Sequence, residues 1–216
     1  MPSLTLLENQ GFSSTNYLLK TSKKSYIIKI FNSLHVNIKF EFQIMQKAYK
    51  KAIGAKPIFF DEENSIMVYE YINGFHKNKL KAKEIKNIAL LLKKLHQIKI
   101  VKKFFNHKKN YVLCHHDLNP KNFIFSNDIK LIDWEYAGMN DCYFDLATII
   151  VEFGLSKKDE RLFLQTYFKN SYKIDKSKLY TFKIKYIKIC IDWFKNQDKQ
   201  KEQLKFKKKL YECNKR

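Results

Sequence analysis

The chain has 216 residues, 45% of them hydrophobic and 15% aromatic, which is enough apolar material for a packed core and excludes a disordered chain. Its length suits one compact domain or two small lobes and excludes a large multidomain machine. Lys and Arg number 42 against 21 Asp and Glu, a formal charge of +21 that raises the question of a polyanionic partner.

In chain order, the first part is predicted to be short strands with one helix. Leu4-Leu7, Tyr17-Lys20 and Ser25-Phe31 are β-like, the last two joined by the polar turn Thr21-Ser22-Lys23-Lys24. Ile38, Phe42, Met45, Tyr49 and Ala52 keep a helical period that Gly54 and Pro57 stop. Strands Pro57-Phe60 and Ile66-Tyr71 flank the turn at 61–64. After Asn73-Gly74 the pattern turns helical, with Ile85, Ile88, Ala89, Leu92 and Leu95 on one face. Asn122-Ser126 and Ile129-Asp133 form a predicted hairpin around Asn127-Asp128. Helices follow at about 142–154, 157–170 with Ser156 as N-cap, 177–195 and a Lys-rich tail. The expected fold class is therefore α+β, with a small β-rich N-lobe over 1–72, a larger mainly helical C-lobe over 73–216, and a cleft implied between them.

Arg161 and Arg216 are the only arginines, whereas a nucleic-acid reader is expected to use Arg for bidentate contacts. The Lys excess therefore reads as compositional bias, with no specific nucleic-acid partner. Cys114, Cys142, Cys190 and Cys213 form no CxxC pair and read as small buried hydrophobes of a reducing compartment. The N-terminus has neither a basic n-region nor a long apolar h-region, and Leu146-Leu155, the most apolar run, contains Glu152 and is about half a membrane span in length. A cytoplasmic protein without a membrane span is the expectation.

The chemistry is concentrated at 115–136. His115, Asp117 and Asn122 make H-x-D-x-x-x-x-N, and Asp133, in Leu131-Ile132-Asp133-Trp134-Glu135-Tyr136, lies across the hairpin from Asn122. Phosphoryl transfer needs such a set. One carboxylate orients and deprotonates the attacking hydroxyl, while an amide oxygen and a second carboxylate hold Mg²⁺ against the phosphates. A polar loop could use His and Asp as turn formers, but the joint pattern with the hairpin is far more restrictive than a lone HxD.

The segment from about 111 to 152, including Ile132-Asp133-Trp134-Glu135-Tyr136-Ala137-Gly138-Met139-Asn140-Asp141 and Phe144-Asp145-Leu146-Ala147, resembles the choline/ethanolamine kinases, in particular their bacterial choline kinase branch. These are relatives of the aminoglycoside phosphotransferases in the protein-kinase-like bilobal fold. The resemblance implies ATP and Mg²⁺ as cofactors and a small amino alcohol as substrate. Lobe 1–72 then binds nucleotide, and lobe 73–216 carries catalysis and substrate binding. It implies Asp117 as catalytic base, Asn122 and Asp133 as metal ligands, and His115 as a structural brace. The family commonly has Asn where this chain has His116, and the chain is shorter than typical members.

Within that frame Lys29, in opposite phase to Ile28 and Ile30, matches the phosphate-binding basic residue, with Glu41 as its ion-pair partner. Gly11-Phe12-Ser13-Ser14-Thr15-Asn16 would cap the phosphates with small residues and backbone N–H groups, and Glu70-Tyr71-Ile72 falls where relatives hold the adenine edge. The substrate set is Asp117, Asn119, Glu152, Tyr186 and Trp193. By the same resemblance Glu152, two turns beyond Asp145 on one helix face, matches the family's cation-contacting Glu and is expected to be the counter-charge for the ammonium. Trp193 is the best candidate for an aromatic wall, with Tyr186 and Phe194 behind it, although an aromatic stripe at this spacing is ordinarily core, and Cys190 stands where relatives often carry a Trp. His96 is expected to be a core hydrogen-bonding residue and His107 a surface one. Two other readings stay open. One is an aminoglycoside phosphotransferase, disfavoured by the Lys-rich, acid-poor 155–216; the other is a basic nucleic-acid-binding module, which leaves the ordered Asp117, Asn122 and Asp133 unexplained.

Overall fold

A computed structural model describes residues 1–8, 13–32, 37–100, 110–169 and 174–214. It divides into two compact units, residues 1–77 with 121–137, and residues 78–120 with 138–216.

In the first unit, β1 (Ser3–Leu6), β2 (Ser14–Lys20), β3 (Ser25–Phe31), β4 (Pro57–Asp61) and β5 (Ile66–Glu70) form an antiparallel sheet in the order β1-β2-β3-β5-β4. Helix α1 (Ile38–Lys50) starts where the Asn37 side chain accepts the Phe40 N–H at 2.8 Å, and buries Ile38, Phe42, Ile44, Met45 and Ala48. The strands match the predicted ones to within a residue or two, except that β2 begins three residues early. Ser14, Thr15 and Asn16 are ladder residues opposite Phe31, Ile30 and Lys29, not an open loop.

The hairpin of β7 (Phe123–Phe125) and β8 (Ile129–Leu131) belongs by packing to this first unit, whereas a division at residue 72 assigns it to the second. The reason is long-range backbone bonding: Leu131 N–H reaches the Ile53 carbonyl at 2.7 Å, and Phe75 and Phe125 exchange bonds at 3.1 and 2.9 Å. Gly74 permits this approach, since a Cβ there would stand 2.6 Å from Ile124 Cγ2 and 2.6 Å from the Phe125 carbonyl oxygen.

The second unit holds α2 (Ala82–Leu95), α3 (Tyr143–Glu152), α4 (Lys157–Phe168), α5 (Lys176–Asn196) and α6 (Gln200–Asn214). Ser156 caps α4 as predicted, accepting the Asp159 N–H at 3.2 Å. Phe144, Val151, Tyr186, Ile187 and Phe206 make a core shared by α3, α5 and α6. The sequence reading lacks β6 (Val112–Cys114) and β9 (Gly138–Asn140), which pair with each other antiparallel. Three-residue strands are too short to show a period of two, and their partner lies far along the chain. All four cysteines are free thiols, but only Cys114 is fully buried, the other three being half-buried. No helix among the described residues is long and apolar enough to cross a membrane.

Candidate active site

The first unit gathers its charged side chains around Lys29. The β3 pleat puts Lys29 on the face of Ile27 and Phe31, both buried, so the ammonium points into the interior with the side chain only 3% exposed. Burying a charge demands compensation. The Lys29 Nζ lies 3.0 Å from Glu41 Oε1, 2.8 Å from Asp133 Oδ1 and 4.0 Å from Glu135 Oε2, and 4.8 Å from the centroid of Phe31. Burial alone pulls such an ammonium's pKa down, but the Glu41 and Asp133 carboxylates outweigh it and hold the pKa above its ordinary value. Lys29 therefore stays charged. The expected Lys29–Glu41 pair is present, and the short hydrogen bond from the Ser13 hydroxyl to Glu135 joins the same cluster.

Asn122 and Asp133 are brought to the open end of the β7–β8 hairpin, where the Ile132 N–H bonds the Asn122 carbonyl at 3.1 Å. Asn122 is buried; Asp133 has a left-handed backbone, φ +66°, and a side chain 37% exposed. Three carboxylates gather around a single ammonium, burial pushing the Glu41 carboxyl up, and the donors on offer are hard oxygens. Oxygen donors of this kind, among them those of Asn122 and Asp133, could hold a divalent cation such as Mg²⁺.

The other expected nucleotide residues are more varied. Ser14 is buried, and the Asn16 amide donates to its hydroxyl at 3.3 Å; Thr15 and Asn32 hydrogen-bond side chain to side chain. The Glu70 carboxylate is taken by Lys24 at 2.6 Å, and the Glu70 and Tyr71 N–H groups bond the Lys56 and Ser25 carbonyls. Ile72 follows as non-strand backbone. Gly11, Phe12 and His107 lie outside the described residues.

In the second unit the loop after β6 is organised by one carboxylate. Asp145, fully buried at the start of α3, accepts the His115 N–H at 2.8 Å and the His116 N–H at 3.1 Å, and contacts His96 Nε2 at 3.2 Å. Burial pushes its carboxyl up, but the bonds from His96 and His115 outweigh this and hold it below the ordinary carboxylate value. His96 is the expected core residue, its Nδ1 2.7 Å from the Tyr167 hydroxyl. His115 is buried. Asp117 is half-exposed, and the Asn119 amide donates to both its oxygens at 3.0 Å, fixing the carboxylate's orientation.

Glu152 and Tyr186 come together, the hydroxyl donating to Glu152 Oε1 at 2.6 Å. Cys190 lies near enough to feel the charges of both Glu152 and Asp117, while burial, the largest cause, pushes its thiol up to about 12. Trp193 is half-buried, edge-on to Phe194 at 4.9 Å. Asp145, read from the sequence alongside Glu152, is instead committed to the loop.

Sequence reasoning missed the loop-holding role of Asp145, and missed Glu135 altogether as a partner of Lys29. The available signal for Glu135 was its two-residue spacing from Asp133, and for Asp145 an acid opening an otherwise apolar helix. His96, Cys114 and Asp145 present ligand atoms within 4.8 Å of one another, yet this is not a convincing metal centre. The Asp145 oxygens and both His96 nitrogens are engaged, and burial pushes the Cys114 thiol well above its ordinary pKa, away from the thiolate a metal needs.

The α+β fold is protein-kinase-like, as the solved structures it matches show. The fold matches the crystal structure of choline kinase LicA from Streptococcus pneumoniae with a TM-score of 0.78, at 22% identity over 98% of this chain and 92% of that one. A LicA structure in complex with AMP matches with a TM-score of 0.72, at 24% identity over 98% and 92%. The sequence model of choline/ethanolamine kinases matches residues 67–215, and the chain belongs to that family. Protein LicA of Haemophilus influenzae is 46% identical over 65 residues, 30% of this chain and 24% of that protein, so the matched segment spans about a quarter of the relative.

Proposed function

We propose that the chain is an ATP- and Mg²⁺-dependent kinase that phosphorylates the hydroxyl of choline or ethanolamine, acting in the cytoplasm where ATP is abundant. The observation that carries this is the Lys29–Glu41–Asp133 cluster at the Asn122 end of the hairpin, in a member of the choline/ethanolamine kinase family. Residues 1–72 hold the nucleotide and 73–216 supply the base and the substrate pocket. Lys29, kept charged and aimed by Glu41, binds phosphate oxygens. Ser13, Ser14, Thr15 and Asn16 border the phosphates, and Glu70 to Ile72 border the adenine.

Asp117 accepts the proton of the substrate hydroxyl while that oxygen bonds the γ-phosphorus and the bond to the β,γ-bridging oxygen breaks, giving the phosphate ester and ADP. Asn122 and Asp133 would hold Mg²⁺, which when bound would neutralise phosphate charge. Glu152, oriented by Tyr186, faces the ammonium, with Trp193 as the aromatic wall.

The test is ATP consumption by the purified chain with choline, ethanolamine and kanamycin, each with and without Mg²⁺. Turnover is expected with an amino alcohol and only with the metal. In a folded Asp117→Asn protein kcat should fall at least about a hundredfold with ATP affinity kept. Turnover of kanamycin alone would assign an aminoglycoside kinase, and salt-sensitive RNA retention without turnover would assign a nucleic-acid module.

A further inference from the structure

His116 directly precedes Asp117 in the loop after β6. Its backbone is left-handed, φ +67°, a conformation costly for most side chains although less so for His, Asn and Asp. Contacts from three neighbouring side chains help to hold it there. Its N–H bonds Asp145 Oδ1 at 3.1 Å, its ring meets Phe144 edge-on at 4.8 Å, and its Nε2 lies 3.0 Å from the Asn140 side-chain nitrogen.

The last contact fixes a proton. The Asp141 N–H, which can only donate, reaches Asn140 Oδ1 at 2.8 Å. That bond sets which end of the Asn140 amide is oxygen, so the end facing His116 is the NH₂ group, also a donor. His116 Nε2 must therefore be the acceptor, and the ring proton sits on Nδ1. Asn140 is itself anchored in β9, opposite Val112 of β6. The chain of constraint runs from the β6–β9 pair through Asn140 to the ring, and from the ring to the turn that launches Asp117.

We propose that His116 is a positioning residue for Asp117, locked by Asn140 as the Nδ1–H tautomer so that it holds the left-handed turn from which the base projects. This rests on the phosphotransferase reading for its kinetic half, whereas the tautomer can be observed without turnover.

The experiment uses the full chain, with histidine-selective ¹⁵N NMR and steady-state kinetics for ATP with choline and with ethanolamine. The wild-type His116 ring should show a protonated Nδ1 and a bare Nε2, and Asn140→Leu should abolish that preference. His116→Val, whose branched side chain resists the left-handed turn, should lower kcat by about tenfold to a hundredfold with KM for ATP little changed. His116→Asn, which tolerates the turn, should recover most of the loss; thermal unfolding of each variant separates misplacement of Asp117 from unfolding. A protonated Nε2 in the wild type, or a folded His116→Val enzyme with unaltered kcat, would overturn the proposal. A wild type inert toward both alcohols but with the Nδ1–H ring would overturn the substrate reading and leave the Asn140 lock standing.

Discussion

At the scale of single residues, Lys29 and Glu152 show two ways of managing charge. Lys29 is buried and ringed by carboxylates, so its position is fixed before any ligand arrives, which lowers the cost of ordering it. Glu152 keeps one oxygen on the Tyr186 hydroxyl and is only partly buried, which leaves it able to meet a cation. The nature of that cation can be tested. A trimethylammonium group has no N–H donor and relies on dispersion and on cation–π attraction worth about 0.5–2 kcal/mol per ring, whereas a primary ammonium can hydrogen-bond the carboxylate directly. Trp193→Ala should therefore raise KM for choline more than for ethanolamine, and Glu152→Gln should harm ethanolamine at least as much. Both constants measured for both alcohols decide it; equal losses in the Trp193 variant would make that ring core packing.

Among the elements, the β7–β8 hairpin depends on close backbone approach at Gly74. Gly74→Ala forces a methyl against the Phe125 carbonyl and Ile124, which should cost about 1–3 kcal/mol in urea unfolding. An unchanged midpoint would show that the hairpin can shift at no cost. The loop after β6 depends on Asp145 in the same way. Asp145→Asn replaces an acceptor by a donor facing the bound N–H groups, and is expected to destabilise by about 3 kcal/mol or more. Because its folded carboxyl is held below the ordinary value of about 3.9, the stability Asp145 contributes is present above about pH 4 and is lost as pH falls through the folded value. Denaturation curves of wild type and variant should thus diverge most near neutrality and converge in acid; a gap that does not narrow would assign the effect to shape alone.

For the whole molecule, charge is unevenly shared. Residues 78–120 with 138–216 hold thirty of the Lys and Arg against twelve acids, while the other unit holds twelve against nine. Like charge at that density opposes compaction. Raising NaCl from about 0.01 M to about 1 M shortens the screening length from about 30 Å to about 3 Å, and should raise the thermal midpoint. A midpoint that falls with salt would mean that the local pairs, such as Lys183–Glu160 at 2.6 Å and Lys178–Asp141 at 2.5 Å, outweigh the general repulsion.

The sequence by itself determined the α+β class and the order of the elements other than β6 and β9, and it spells out the Asp117, Asn122 and Asp133 motif, because periodicity, caps and a closely spaced motif are local signals. The Lys29–Glu41 pair came from the family resemblance, with the phase of the strand in agreement. Only the tertiary structure decided that Glu135 joins that pair, that Ser14 to Asn16 are ladder residues, and that Asp145 holds the loop while Glu152 pairs with Tyr186. It alone brought β6 to β9 and set Asn140 against His116. Each of these rests on groups distant in sequence whose burial forces them to find hydrogen-bond partners, and no local pattern encodes which partner that is.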